Sequence, residues 1–216
     1  MSPLIPWRVK NFVSNKFPLA YHLISNFGFD GNSTEHWDQR LAETWDDPRR
    51  MWPDKNALIH QLTDKNDAIL DIACGNGSIL KYLKAQGYQQ LHGMEISTYA
   101  VNRLQSEGIN MCRGKLPHLP YPDNTFDVVI ASQVLEHVIR RRTFIKEITR
   151  VMSADGKAFI FVPDDCMGPI DEKEHVIKYT EKSLSTFLSS YFTHVQVESI
   201  RDRSQEAPIL FSLVQL

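Results

Sequence analysis

From Lys65 onward, short apolar runs alternate with stretches whose apolar residues recur every three or four positions, the pattern of a parallel sheet with crossover helices. Ala68-Ile69-Leu70-Asp71-Ile72 reads as a buried strand, and Ser78 to Gln86 as a helix with Ile79, Leu80 and Leu83 on one face. Leu91 to Met94 predicts a second strand, Thr98 to Gln105 a helix, Asn110 to Arg113 a short third strand, and Phe126 to Ala131 a buried fourth. Phe144, Ile145, Ile148 and Val151 share a helical face. Asp155-Gly156 is expected to turn the chain into a fifth strand, Lys157 to Val162, closed by Pro163. Thr180 caps another helix with Leu184, Phe187 and Leu188 inward. Val195 to Ile200 and Leu210 to Leu216 then follow without a helix between them, so they must pair antiparallel. The expected architecture is α/β, a doubly wound seven-stranded sheet with its last strand antiparallel. Residues 1–65 lack this alternation and predict an N-terminal helical cover, the substrate-specificity segment, ahead of a sheet domain over residues 66–216.

Composition narrows the functional classes. The chain has 216 residues and a net charge of −2, from 24 basic and 26 acidic side chains, so no bulk field draws in nucleic acid. The one basic cluster, Arg140-Arg141-Arg142 with Lys146 and Arg150, lacks interleaved aromatics and reads as a solvated helix start. No apolar run approaches the ~18 residues that cross a bilayer. The uncharged stretch Phe17 to Phe29 is interrupted by Pro18, His22, Ser25, Asn26 and Gly28, unlike a signal peptide. Cys74, Cys112 and Cys166 form no Cys-x-x-Cys pair, so neither a disulfide framework nor a zinc site is expected, and the compartment is read as reducing and cytoplasmic. The pattern assigns no oligomeric state.

The chemistry is expected at the carboxyl ends of the strands, where doubly wound sheets leave a crevice. The first strand runs through Asp71-Ile72-Ala73-Cys74-Gly75-Asn76-Gly77 directly into a helix, so backbone at Gly75 and Gly77 can approach a ligand at the helix N-terminus. Glu95 ends the second strand eighteen residues after Gly77, about where an acidic side chain accepts hydrogen bonds from ribose hydroxyls. A dinucleotide site wants a third glycine, and Ser78-Ile79-Leu80 supplies none. Asp71 repels a pyrophosphate but suits a ligand carrying an ammonium group and no phosphate. S-adenosylmethionine is such a ligand.

Several segments then match in order. Leu70 to Gly77 resembles the first motif of the class I S-adenosylmethionine-dependent methyltransferases, Met94-Glu95-Ile96-Ser97 their acidic second-strand end, and Leu119 to Ile130 their fourth-strand entry. Ser132 to Val138 and Phe144 to Val151, followed by Asp155-Gly156, are similar to the ubiquinone-biosynthesis-like branch. The resemblance runs from about Asp67 to the C-terminus and implies a Rossmann-like class I methyltransferase fold. It also implies that Asp71, Ala73, Cys74, Gly75, Asn76 and Gly77 bind the methionine part of S-adenosylmethionine, which leaves as S-adenosylhomocysteine. Glu95 would hold the ribose and Ile96 would flank the adenine. Where relatives place an acidic residue for the adenine amino group, this chain has Gly114-Lys115-Leu116. Lys115 cannot accept that hydrogen bond, so recognition falls to backbone around Leu116. Ala73 replaces a common glycine, a mild change where φ is negative. Ser132 and Gln133 would approach the methionine portion.

For the acceptor, the reading is methyl transfer to a small-molecule or glycan hydroxyl. Alignment does much of the work in such a displacement, and a base serves mainly hydroxyl acceptors. His137 and His175 are the catalytic candidates, because imidazole takes a proton near neutral pH. Asn32 to Arg40 and His175 to Leu184 resemble segments of bacterial methyltransferases of polysaccharide and small-metabolite tailoring. Trp37 either covers the cofactor or plugs the core. The loop from Asp164 to Tyr179 and the segment before residue 66 are expected to sense the acceptor. Gln133-x-x-Glu136-His137 with His175 is similar to the Glu-x-x-Glu-His and distant His set that binds a divalent ion in small-RNA 2′-O-methyltransferases and some quinone O-methyltransferases. Gln133 removes one negative charge from that set, and no metal is assigned. Two other classes compete: a non-catalytic S-adenosylmethionine-binding or interaction protein, and a dinucleotide oxidoreductase, which the missing third glycine disfavours.

Overall fold

A computed structural model describes residues 5–27, 31 and 33–216, so Asn32 and Phe29 lie outside the described residues. Four helices come first: α1 (Trp7–Lys16), α2 (Pro18–Ser25), α3 (Thr34–Thr44) and α4 (Pro53–Gln61). The alternating part follows as β1 (Ile69–Ile72), α5 (Ser78–Ala85), β2 (Leu91–Glu95), α6 (Thr98–Ser106), β3 (Asn110–Arg113), β4 (Phe126–Ser132), α7 (Arg141–Val151) and β5 (Met152–Pro163). It ends in α8 (Glu181–Leu188), β6 (His194–Ile200) and β7 (Ile209–Gln215).

The seven strands form one sheet in the order β3-β2-β1-β4-β5-β7-β6. β1 pairs in parallel with both β2 and β4, so the strand order reverses between β1 and β4. That reversal opens the crevice at their carboxyl ends. β7 runs antiparallel to both neighbours, inserted between β5 and β6. The hairpin expected from the absence of a helix before residue 209 therefore forms, with its second strand on the inner side.

Continuous apolar runs arise because both faces are covered. Alternate residues of one strand join different cores. Ile69, Val128, Ile130, Phe159 and Phe161 pack under α5 and α6, with Leu80, Leu83 and Leu104. Leu70, Val129, Ala131, Ile160 and Val162 pack under α7 and α8, with Phe144, Ile148, Leu184 and Leu188. Leu41 and Trp45 of the α3 end and Ile59 of α4 are buried in the first of these cores. Thr180 and Ser183 form a reciprocal capping box at the start of α8.

The fifth strand departs from expectation. Asp155-Gly156 does not end a loop; it lies within a strand that begins at Met152. Phe126 pairs with Met152 and Val128 with Lys157, so the extra residues bulge out of the ladder while pairing continues on both sides.

The cover is fastened by two carboxylates, the buried Asp202 and the half-buried Asp38. The Asp202 carboxylate, in the β6–β7 loop, accepts the backbone N–H groups of Asp54 and Lys55 at 3.0 and 2.9 Å and caps α4. Asp38 of α3 accepts the Ser97 hydroxyl at 2.6 Å and the Tyr99 N–H at 3.0 Å, fixing α3 to the start of α6.

Backbone conformation after β1 corrects one expectation. Ala73 has φ +52°, so alanine here is not the mild change that a negative φ would have made it. Gly77 has φ +72°, and a Cβ there would stand 2.6 Å from Leu104 Cδ2. Gly77 serves close packing of the loop on α6. Two substitutions should therefore move stability in opposite directions. Gly77→Ala should lose about 1–3 kcal/mol, from left-handed strain and displacement of Leu104, while Ala73→Gly should gain up to about 1 kcal/mol. Urea unfolding of both variants measures this, and a loss in Ala73→Gly would refute the strain.

Candidate functional site

A cleft of about 650 Å³ opens over the carboxyl ends of β1, β2, β3 and β4. Its walls include Asp71, Ala73, Cys74, Gly75 and Asn76 from the β1 end, Glu95 and Ile96 from the β2 end, and Leu116 beyond β3. Ser132 and Gln133 line it from the β4 end, and Trp37, His137 and His175 from the far side. Of the residues read from the sequence, Gly77 and Lys115 are not among the wall residues; Gly77 is buried in packing and Lys115 is exposed beside Gly114 and Leu116, which do line the cleft.

Glu95 is buried and joins two strand ends. Its carboxylate accepts the Gly75 N–H at 2.9 Å, the Ile96 N–H at 2.7 Å and the Ser97 N–H at 3.1 Å. Burial raises its pKa, and those N–H groups oppose the rise. Arg50, from the segment before α4, reaches the same loop: its Nη1 stands 3.9 Å from where a Gly75 side chain would begin. Its Nε donates to Thr44 Oγ1 at 2.9 Å.

Beneath the cleft lies a charged floor that sequence pattern did not reveal. The Lys55 ammonium is buried and donates to Ser132 Oγ at 2.7 Å, with the Trp52 ring centroid 4.0 Å away. Asp71, 1% exposed, has one carboxylate oxygen without a partner. Burial lowers Lys55 and raises Asp71, and attraction between them opposes both shifts. Lys55 reads in sequence as an ordinary polar residue near a helix start, because its burial depends on a chain segment some 150 residues away. Arg50, Trp52 and Lys55 share one signal: they flank Pro53, whose ring starts a helix after a residue with φ +45°.

The far side is built from α3, the turn after β4, and the β5–α8 loop. The Trp37 indole donates to the Gly31 carbonyl at 2.9 Å and its ring meets His137 edge-on at 5.8 Å. Trp37 is thus a cleft wall, partly exposed, and not a core plug. Glu174 accepts from Arg40 Nη1 at 2.9 Å and pairs with His36 Nε2 at 3.0 Å, tying the loop to α3. His137 Nδ1 lies 3.1 Å from the Glu174 carbonyl, which can only accept, so Nδ1 carries the hydrogen and Nε2 keeps its lone pair. Burial lowers His137 to about 4 and His175 to about 3, the neighbouring His137 adding to the latter. Neither ring holds a proton well at neutral pH, which weakens both as general bases.

Glu136 sits behind them, 1% exposed, with neither carboxylate oxygen hydrogen-bonded; burial pushes it up to about 8. One ligand atom each of Glu136, His137 and His175 lies within 4.8 Å of the others, and His175 Nδ1 is also unpartnered. Two members of the basic cluster are otherwise engaged. Arg141 lies 4.7 Å over the Phe187 ring, and Arg150 binds Glu147 at 2.8 Å and Asp123 at 2.8 Å.

Residues 70–160 match the family model of the methyltransferase domain. Norajmaline N-methyltransferase of Rauvolfia serpentina is 30% identical over 131 residues, 57% of this chain and 40% of that enzyme. The 27-O-demethylrifamycin SV methyltransferase of Amycolatopsis mediterranei is 28% identical over 137 residues, 52% of this chain and 50% of that enzyme. The chain spans about half the length of the curated relatives it matches. The crystal structure of a SAM-dependent methyltransferase from Aquifex aeolicus superimposes with a TM-score of 0.63 at 16% identity, covering 86% of this chain and 98% of that one. Residues 70–160 are thus similar to the methyltransferase domain, and the fold as a whole is similar to that of the Aquifex aeolicus methyltransferase.

Proposed function

We propose that this chain transfers the methyl group of S-adenosylmethionine to a hydroxyl of a small-molecule or glycan acceptor. The observation that carries the reading is a single cleft whose two ends suit different partners. At one end the free oxygen of Asp71 suits the cofactor's ammonium group, Arg50 its carboxylate, and the Glu95-bound loops its nucleoside. Bound there, the cofactor supplies a methyl group on a sulfonium, a leaving group good enough that alignment provides much of the acceleration. At the other end His137 Nε2 has a lone pair free to accept an acceptor hydroxyl and point its oxygen. With so low a proton affinity, His137 and His175 orient that hydroxyl and do not store its proton. Trp37, Arg40 and Trp52 from residues 1–65, with Met167 and Glu172 from the β5–α8 loop, form the acceptor-selecting walls. Three free thiols fit a cytoplasmic setting.

Calorimetric titration with S-adenosylhomocysteine should show saturable binding, while NAD shows none. Glu95→Ala should weaken that binding by ~10- to 100-fold, the worth of a hydrogen bond to a charged group and its loop. Methyl transfer to hydroxyl acceptors, and not to their amine analogues, should follow. Saturable binding with no product from any hydroxyl acceptor would favour the non-catalytic reading. No binding by a folded sample would overturn the cofactor site.

A second reading is favoured by Glu136, whose carboxylate is buried without a hydrogen bond beside two imidazoles. A carboxylate and two neutral imidazoles form a donor set for a first-row divalent ion, which would fix an acceptor oxygen beside the cofactor. Gln133, whose side-chain nitrogen is unpartnered, stands at the same edge. Mn²⁺ or Co²⁺ should then raise the melting temperature of the protein without cofactor, and Glu136→Gln should remove that rise. A melting temperature unmoved by Mn²⁺, Co²⁺, Zn²⁺ and Mg²⁺ removes this reading.

A further inference from the structure

The helical pair α1–α2 is built inside out. In α2 the polar side faces the protein: Tyr21 and His22 are buried and Ser25 is half-buried, whereas Leu19, Leu23 and Ile24 face outward. In α1 the one buried residue is Ser14, while Trp7 (60% exposed), Val9 and Phe12 are open, and Phe17 and Phe27 (95%) continue the same exposure. Eight of the eleven large apolar side chains exposed among the described residues fall between residues 7 and 27. A monomer in water does not leave such a patch bare without a partner for it.

Charge identifies the partner. Residues 1–29 contain Arg8, Lys10 and Lys16 and no acidic side chain, although the whole chain carries net charge −2. A second copy related by a twofold axis would set this cationic face against itself. An anionic bilayer surface complements both features, since tryptophan and phenylalanine seat in the headgroup zone and lysine and arginine pair with its phosphates. No helix of the described residues is long and apolar enough to cross a membrane, so the contact lies in the interface plane.

The geometry points to α1–α2 as an interfacial anchor that docks this protein on an anionic membrane. The inner side of the same pair holds the acceptor end of the cleft. Asn26 Nδ2 donates to the Lys173 carbonyl at 3.5 Å, on the loop that carries His175, and stands 3.3 Å from His22 Nδ1. Docking therefore brings the cleft's acceptor side to the bilayer, where amphipathic or lipid-linked acceptors reside. The anchor itself does not rest on the proposed activity.

Co-sedimentation of the full chain with phosphatidylcholine vesicles containing phosphatidylglycerol tests the anchor, with pure phosphatidylcholine as the comparison. Binding should be at least ~10-fold stronger to the anionic vesicles, should weaken with salt, and should fall ~10-fold or more in Lys10→Glu/Lys16→Glu. Leu23→Glu/Ile24→Glu should abolish it while retaining S-adenosylhomocysteine binding and circular dichroism, which separates loss of the anchor from loss of the fold or of the cofactor site. Equal binding to both vesicle types, or binding unchanged in Leu23→Glu/Ile24→Glu, overturns the proposal. So does a dimer in sedimentation velocity that the same variant dissociates without any vesicle binding, because a second copy then covers the face.

Discussion

One buried carboxylate organises the cofactor end of the molecule. Glu95 accepts three backbone N–H groups, one from the loop after β1 and two from the turn after β2. Parallel strands have no turn connecting them, so their carboxyl-end loops need such a link to keep a common geometry. A carboxylate is suited to the task because each oxygen can accept more than one bond and charge-assisted bonds are the stronger ones. The remaining acceptor capacity of Glu95 is what a ribose would meet. On the proposed reading, architecture and binding share one side chain.

The same economy holds beneath the cleft. Lys55, Asp71 and Glu136 are all buried, and burial drives each toward its neutral form. Three such groups so close together destabilise a fold unless their charges compensate or a ligand does so. The residues around them add strain: Trp52, Ala73 and Gln133, all cleft walls, have positive φ. Asp71, Gln133, Glu136 and His175 bring unpartnered polar atoms to the same region as this strained backbone. The coincidence of the two at the cleft is an argument for a functional site there that does not depend on any resemblance.

What the sequence made legible follows from how local each cause is. β4 was readable because both of its faces are buried, which makes Val128 to Ala131 continuously apolar. Gly75 and Glu95 were readable because a strand end and a helix start bracket them within a few residues. The start of β5 was not, since Asp155-Gly156 carries a turn signal that the ladder absorbs as a bulge. Lys55 was hidden because Asp202, far away in sequence, sets the start of α4 and so aims Lys55 inward. The conformation of Ala73 was hidden as well, because alanine states no preference for the left-handed region it occupies.

The helices ahead of β1 divide by what they bury, and that division explains how one chain can serve two surfaces. α3 and α4 send Leu41 and Ile59 into the sheet's core and bring Trp37 and Lys55 to the cleft. α1 and α2 send mainly polar side chains inward and keep their apolar ones outside. Of these inward polar groups, Asn26 finds a partner on the loop bearing His175 and contacts the His22 ring, while the Ser14 and Ser25 hydroxyls have none. The pair thus meets the loop that bears His175, while Glu95 ties together the loops after β1 and β2. If the anchor and the cleft act as proposed, acceptor capture answers to the surface on which the protein sits, while cofactor binding stays a property of the sheet.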